Sequence, residues 1–215
     1  MSEPVSERTR DPEQQALEAR VRSYVGLEEG PPFTGPDAVN EPMIRHWCEA
    51  MGDALPVYVD AERAKESVHG GIVAPPAMLQ VWEMRGYAMH DPKLLAPNRQ
   101  RELHGVFDAA GYTGVVATDT EQEYRRYLRP GDRVTAQTRI EAISEQKTTA
   151  LGTGYFIVTR TRFTDQRGEE VGSVSFRVLK FRPKVPAAGA QEHTAGAQER
   201  TASAQERTAG AQERA

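Results

Sequence analysis

Side chains able to donate, accept or carry a proton lie close together between residues 46 and 71. Asp53 follows Gly52 and is either an acid–base group or a loop aspartate that caps the chain after a helix. Tyr58 either donates a hydrogen bond to a ligand or packs its ring with the hydroxyl in water; its ordinary pKa of ~10 makes it a poor base. His69 either faces a pocket or is a loop histidine.

Two further reactive side chains are interpreted as structural. His46 lies on a helix beside an apolar stripe and is expected at the surface. Cys48 belongs to that stripe and has no adjacent base that would activate a thiolate, so we expect a small core residue. Because it is the single cysteine, the sequence excludes a disulfide framework and a multi-cysteine metal site, and no metal is expected.

The segment 70–76, GGIVAPP, has the composition of a backbone that a ligand approaches closely. Glycine leaves the main chain bare, and the N–H groups of Gly70, Gly71 and Ala74 precede a helix N-terminus, where an electronegative ligand atom is stabilised. The alternative is a tight connection into the next helix, and the two interpretations are compatible.

Four arginines surround a turn at residues 130–132: Arg125, Arg126, Arg129 and Arg133. Arginine binds phosphate with two parallel hydrogen bonds, so Arg125 and Arg129 are candidate phosphate ligands. The alternative is a solvated strand end. Strand alternation predicts Arg125 and Tyr127 on one face and Arg126 on the other.

Composition narrows the class of protein. The chain has 215 residues, 27 Lys plus Arg and 31 Asp plus Glu, for a net charge of −4, which argues against nucleic-acid binding. No apolar run reaches the ~20 residues that a membrane span needs, and the first residues lack the apolar core of a secretory signal. We therefore expect a cytoplasmic protein.

Periodicity predicts helices in the first half of the chain and strands in the second. One helix starts at Pro12, with Asp11 as its cap and Gln14 completing a capping box, and another starts after Asn40 and ends at Gly52. A short helix is expected over 61–67, and an almost wholly apolar helix over 77–89 must be wrapped by other elements.

Four segments read as strands: 118–128, 133–143, 149–163 and 170–181. Short turns join them, which predicts an antiparallel meander. The expected fold is α+β, with one curled sheet around the apolar helix. Residues 1–23 form a partly helical arm, 24–183 the domain, and 184–215 a disordered tail of four seven-residue repeats without a large apolar residue.

Three segments resemble the MaoC-like dehydratases: residues 50–60 (AMGDALPVYVD), 71–76 (GIVAPP) and 151–156 (LGTGYF). The likeness is to their FAS1-like branch, nearest to the MaoC-like half of the large subunit of actinobacterial steroid side-chain enoyl-CoA hydratases. The resemblance implies a single hotdog fold, a CoA thioester as substrate and no cofactor.

The family's signature is Gly-Asp-x-Asn-Pro-x-His, whose aspartate and histidine together activate one water. In this chain the aspartate falls on Asp53 and the proline on Pro56, whereas Leu55 replaces the asparagine and Tyr58 the histidine. Hydration needs a base for the water, an acid at the α-carbon and a donor to the thioester oxygen. The resemblance therefore implies that half of the catalytic dyad is missing.

Subunits of this family that lack the dyad pair with a second hotdog subunit that carries it. The resemblance thus implies the pocket-forming member of an enoyl-CoA hydratase heterodimer, acting on a bulky acyl-CoA such as a steroid side-chain thioester, without nucleic acid or membrane as partners. A homodimeric hydratase using Asp53 or Tyr58, a non-catalytic acyl-CoA-binding hotdog and a thioesterase remain open alternatives.

Overall fold

Helices occupy most of the first half of the molecule and strands most of the second. The structure, a computed structural model, describes residues 11–86 and 98–184; the first ten residues, the end of the predicted helix at 87–89 and the predicted tail from 185 onward lie outside the described residues. The helices are α1 (Pro12–Arg22), α2 (Glu41–Met51), α3 (Pro56–Val59), α4 (Ala61–Glu66), a 3₁₀ helix (Pro76–Glu83) and α5 (Arg99–Ala109). The strands are β1 (Phe33–Thr34), β2 (Gly114–Tyr124), β3 (Thr135–Ile143), β4 (Lys147–Thr148), β5 (Gly152–Thr164) and β6 (Glu170–Pro183).

Helix α2 begins and ends where the sequence predicts. The Asn40 side chain accepts a hydrogen bond from the Met43 N–H at 2.9 Å. Gly52 adopts a φ of 68°, the left-handed conformation that ends a helix without steric cost in glycine. Ile44 and Cys48 are buried, which confirms Cys48 as a core residue, whereas Met51 is exposed.

Helix α1 starts at Pro12 as predicted, but its cap differs. Asp11 accepts from the Glu13 N–H at 3.1 Å. The predicted capping box is wrong, because the Gln14 side chain turns away from the helix end and hydrogen-bonds to the Tyr155 hydroxyl. Tyr155 is fully buried, so its hydroxyl requires such a partner.

The strands form a six-stranded sheet in the order β1-β3-β5-β6-β2, with β4 paired to β5. The meander prediction is confirmed for β3, β5 and β6. It is wrong for β2 and β3, which lie apart, because the connection between them leaves the sheet. The Leu128 carbonyl accepts from the Ala74 N–H at 2.8 Å, and the predicted turn closes locally between Asp132 and Arg129 instead of joining a hairpin.

Two short helices cover the sheet where one long helix was expected. Met78, Leu79 and Trp82 of the 3₁₀ helix are buried in a cluster with Val174 of β6. Helix α5, which the sequence analysis did not predict, buries Leu103, Val106 and Phe107 in a second cluster with Val178 of the same strand. Val174 and Val178 are four residues apart and lie on one face of β6, so both helices pack on the same side of the sheet.

This arrangement confirms the predicted α+β class, an antiparallel sheet with helices against one face. Among residues 11–86 and 98–184, none of the helices combines the length and the apolarity that crossing a bilayer requires.

Candidate functional site

The signature loop begins where α2 ends. The Asp53 N–H donates to the Cys48 carbonyl at 2.9 Å, and the Asp53 Oδ1 accepts from the Leu55 N–H at 3.1 Å. The side chain thus closes an Asx turn that leads into α3, which starts at Pro56. The Asp53 carboxylate holds the loop through Oδ1. The side chain is partly exposed, and its second oxygen accepts no hydrogen bond from the described residues.

Tyr58, which the resemblance matches to the histidine of the signature, is 7% exposed. Burial first, and then the neighbouring Tyr127 and the charge of Asp53, together raise the pKa of Tyr58 to about 12. The phenol is thus buried and interacts with a second tyrosine, Tyr127. A phenol with this pKa stays protonated at neutral pH and cannot take a proton from water.

An open cleft of about 570 Å³ lies beside this tyrosine pair. Its walls are His69, Arg126, Tyr127, Arg129, Asp132, Gln166 and Arg167. The rings of His69 and Tyr127 contact each other with centroids 4.5 Å apart, which places His69 at the cleft rather than in an isolated loop. Sequence reasoning did not single out Tyr127 as a site residue; an aromatic residue directly before the apolar Leu128 was the available signal.

Arg126 forms one wall of the cleft and is held by two carboxylates. Its Nη1 lies 2.7 Å from Asp132 Oδ2, and its Nη2 lies 2.8 Å from Asp165 Oδ2. These hydrogen bonds, together with the nearby negative charges, raise the pKa of Arg126 against the effect of burial. The predicted strand alternation over 125–127 is wrong because β2 already ends at Tyr124.

The two predicted phosphate ligands, Arg125 and Arg129, differ in whether a carboxylate already pairs with the guanidinium. Arg125 pairs with Glu123 at 3.1 Å and with Glu170 at 3.8 Å, so its charge is already compensated. Arg129 lines the cleft, and its guanidinium makes no ion pair with any described residue. Of the two, Arg129 is the better placed to meet an anion in the cleft.

The backbone donors predicted in segment 70–76 are mostly engaged. The Gly70 N–H donates to the Ser67 carbonyl at 3.0 Å, and the Ala74 N–H donates to the Leu128 carbonyl at 2.8 Å. The Gly71 N–H makes no such bond within the described residues, and open space lies where a Cβ on Gly71 would stand. Gly71 is therefore the one of these three whose amide can meet a ligand.

Among residues 11–86 and 98–184, the helices leave an opening over the middle of β6. Phe176 is 39% exposed, although Val174 and Val178 on either side of it are 2% and 7% exposed. Alternation puts the three on one face, so the 3₁₀ helix covers one neighbour and α5 covers the other. The exposed ring is an apolar floor that sequence reasoning missed, because only the packing of two separate helices reveals it.

No group of three or more His, Cys, Asp or Glu side chains that could hold a metal ion occurs among residues 11–86 and 98–184. The cleft is lined mainly by N–H donors, those of Arg126, Arg129, Arg167 and Gln166, together with the His69 imidazole, and these groups suit an anionic, oxygen-rich ligand.

Comparison with known proteins places this geometry in a family. The pattern of the FAS1-like dehydratase domain region matches residues 30–174. A protein of Thermomonospora curvata called a probable enoyl-CoA hydratase alpha subunit is 48% identical over 167 residues, covering 78% of this chain and 52% of that protein. The 3-oxo-4,17-pregnadiene-20-carboxyl-CoA hydratase alpha subunit of Mycobacterium tuberculosis is 47% identical over 150 residues, or 68% of this chain and 46% of that protein.

The chain spans about half the length of these curated relatives. Among solved structures, a chain of the ChsH1-ChsH2 complex from Mycobacterium tuberculosis superimposes with a TM-score of 0.70 and 39% identity, covering 84% of this chain and 98% of that one. A MaoC-like dehydratase with a TM-score of 0.51 and 20% identity shares the fold, which confirms the hotdog prediction. The chain therefore belongs to the FAS1-like dehydratase family.

Proposed function

We propose that this chain is the pocket-forming subunit of a hydratase that acts on bulky enoyl-CoA thioesters, and that a second hotdog subunit supplies the water-activating Asp/His pair. The observation that carries the proposal is the state of Tyr58. It stands where the signature has histidine, it is buried, and a pKa of about 12 keeps it protonated.

The reaction explains why this substitution matters. Hydration forms a bond from the water oxygen to the β-carbon of the enoyl group and puts a proton on the α-carbon, so one group must first take a proton from water. Tyr58 cannot do so near neutral pH. Asp53 alone remains on this loop, engaged by the Leu55 N–H through one oxygen. The Asp/His pair that takes this proton is therefore supplied by the second subunit.

The site has features that suit each part of a CoA thioester. The Arg129 guanidinium is available for a phosphate, and the Gly71 amide for the thioester oxygen. The opening above Phe176 gives a large apolar acyl group a surface to rest on. The relative from Mycobacterium tuberculosis is named for a steroid-type carboxyl-CoA, which supports a substrate of that bulk here.

The proposed assembly is a heterodimer. The two curated relatives are called alpha subunits, and the similar solved chain comes from a complex of two different proteins. Such an assembly needs no cofactor, because the thioester itself stabilises the carbanion-like intermediate once its oxygen is hydrogen-bonded. Cytoplasmic CoA thioesters are the proposed substrate pool.

The test measures hydration of a polycyclic enoyl-CoA by the purified full chain, alone and mixed with any small hotdog protein that co-purifies from native cells. Activity only in the mixture is the expected result, and Asp53→Asn should change it by no more than about threefold. Full activity of the chain alone, abolished by Asp53→Ala, would show a self-sufficient homodimer. Release of free CoA from a saturated acyl-CoA would show a thioesterase instead.

A pair of substitutions tests separately whether the acyl group rests on Phe176. Phe176→Trp should fill part of the opening and lower kcat/KM for a polycyclic enoyl-CoA by about tenfold relative to a four-carbon enoyl-CoA. Val116→Trp adds the same ring on the opposite face of the sheet and serves as the control. Equal effects on long and short substrates would place the acyl group elsewhere.

A further inference from the structure

The opening over Phe176 extends across the neighbouring strands. On β3, Thr138 is partly exposed, whereas Ala136 and Ile140, the next residues on the same face, are 5% and 0% exposed. Thr161 stands opposite Thr138 on β5 and is partly exposed as well. Ala136 belongs to the apolar cluster under the 3₁₀ helix, and Ile140 belongs to the cluster under α5. The opening is therefore a strip over β3, β5 and β6 that none of the described helices covers.

The strip is closed at β3 and open toward β2. At β3, the side chain of Asn98, which caps α5, hydrogen-bonds to the Glu29 carboxylate, and the Glu29 N–H donates to the Thr138 carbonyl at 2.8 Å. At the other end, Phe176 pairs with Thr120 of β2, which is exposed. A ligand that reaches the strip from the β2 side thus meets Phe176 first and the threonines of β5 and β3 last.

The floor of the strip changes from apolar to polar along this path. Phe176 offers an aromatic ring, whereas the Thr138 and Thr161 hydroxyl oxygens lie 2.9 Å apart and hydrogen-bond to each other. Two hydroxyls have two hydrogens and their mutual bond uses one, so the pair keeps one donor and further lone pairs. Thr159 differs, because it is 6% exposed and its hydroxyl donates to the Phe176 carbonyl at 3.5 Å.

The hydroxyl pair determines which group is best accommodated on the strip. A hydrocarbon that covers Thr138 and Thr161 displaces water from their hydroxyls and leaves the spare donor without a partner, which is unfavourable. An oxygen atom of the ligand at the same point replaces the lost hydrogen bond. The strip therefore suits a group that is apolar over Phe176 and carries an oxygen over the two threonines.

We propose that the substrate's acyl group carries a keto or hydroxyl oxygen on the ring farthest from the thioester, and that Thr138 and Thr161 bind this oxygen. A keto oxygen would accept the spare hydrogen of the pair, and a hydroxyl group would also donate to one of its lone pairs. This inference rests on the proposed function, since it specifies the acyl group that the same site takes. The two threonines thus determine specificity at a distance from the reacting carbons.

Three polycyclic enoyl-CoA thioesters with one carbon skeleton test the proposal: one with a remote keto oxygen, one with a remote hydroxyl and one with neither. In the hydratase mixture, wild type should show a kcat/KM about three- to tenfold higher for at least one oxygenated thioester than for the hydrocarbon. The variant Thr138→Val/Thr161→Val should bring this ratio to about one. The change should appear in KM rather than in kcat, because the contact is remote from the reacting carbons.

The chain offers a matched control and a rescue variant. The hydroxyls of Thr34 and Thr135 also lie 2.8 Å apart on paired strands, and Thr135 precedes Ala136 and so points to the opposite face of the sheet. The variant Thr34→Val/Thr135→Val should therefore keep the wild-type ratio. The variant Thr138→Ser/Thr161→Ser retains both hydroxyls and should keep most of the preference even if the valine variant folds poorly.

Binding gives a second measurement that needs no turnover. Calorimetric titration of the full chain and of the mixture with the three corresponding saturated acyl-CoA thioesters should give the same order of affinities. A wild-type ratio near one, a valine variant that keeps the wild-type ratio, or no binding of any of the three would overturn the proposal. Failure of every mixture to hydrate any enoyl-CoA would instead count against the proposed function, and the binding comparison would still decide this inference.

Discussion

Removing the charge of Asp165 is expected to destabilise the wall of the cleft. The Asp165 side chain has no exposed surface, and its Oδ2 accepts from Arg126 at 2.8 Å and from Arg167 at 3.0 Å. Its Oδ1 accepts from the backbone N–H groups of Arg167 at 2.8 Å and of Glu169 at 3.0 Å. Asp165→Asn removes the charge and points an amide N–H₂ at groups that are themselves donors.

The expected loss in stability depends on the contacts that Arg126 and Arg167 keep after the substitution. Breaking a buried ion pair by removing one member costs about 3–5 kcal/mol. Arg126 retains Asp132, and Arg167 is largely exposed, so we expect the lower end, about 3 kcal/mol. For a domain stable by ~5–15 kcal/mol this is a large share, and it corresponds to a fall in Tm of roughly 6–12 °C.

The pH dependence gives a second, independent reading of the same contacts. Burial alone would raise the pKa of Asp165, but the hydrogen bonds from Arg126 and from the backbone N–H groups of Arg167 and Glu169 hold it well below its usual range. The folded state therefore keeps the carboxylate ionised where the unfolded chain protonates it. This stabilisation is complete above about pH 5 and is lost as the pH falls, so the difference between wild type and Asp165→Asn should shrink on acidification.

Urea unfolding of the full chain at about pH 7 and about pH 3 measures both effects. Glu169→Gln is the matched control, because Glu169 also pairs with Arg167 but is exposed, and its loss should cost no more than about 1 kcal/mol. The reasoning fails if Asp165→Asn costs less than about 1 kcal/mol at neutral pH, or if its cost is the same at both pH values.

Three further substitutions probe the elements that position the site. A Cβ on Gly172 would lie 2.6 Å from the Glu123 carbonyl oxygen, so Gly172→Ala should cost about 1–3 kcal/mol in urea unfolding, whereas Gly71→Ala, in open space, should be near neutral. Phe107→Ala should cost about 3–5 kcal/mol because the ring of this α5 residue is fully buried; a surface-like loss below about 1 kcal/mol would remove α5 from the core. Asn40→Ala should cost about 1 kcal/mol through the lost cap of α2, with Asn40→Asp retaining most of the stability; equal losses for both would mean that the cap bond is not the cause.

Local signals predicted the boundaries of elements whose ends are set by their own residues. The cap at Asn40 and the stop at Gly52 follow from hydrogen bonds and backbone conformation within a few residues, and both occur as expected. Gln14 had the right type and spacing for a capping box, yet it bonds to Tyr155, far away in sequence. A local pattern cannot anticipate a buried hydroxyl that competes for the same side chain.

Long-range arrangement accounts for the errors in the sheet and in the helical layer. The turn at residues 130–132 has the residues of a hairpin, but Leu128 is buried in the core and bonded to Ala74. Strand β3 therefore joins the sheet away from β2 in the strand order. Helix α5 carries three apolar residues among eight polar or small ones, too weak a stripe to predict. Its burial depends on the partner surface rather than on its own composition.

The sequence by itself determined the family and predicted a chemical deficit: Asp53 is present, and Tyr58 stands at the position that the resemblance matches to histidine. Residue type indicates the deficit, because an unperturbed phenol has a pKa of ~10 and is a poor base at neutral pH. Only the tertiary structure decided that Tyr58 is buried beside Tyr127, that Phe176 keeps exposed surface between the two described helices and that β2 ends the sheet. These features depend on contacts between distant segments, and their free energies are defined only once the chain has packed.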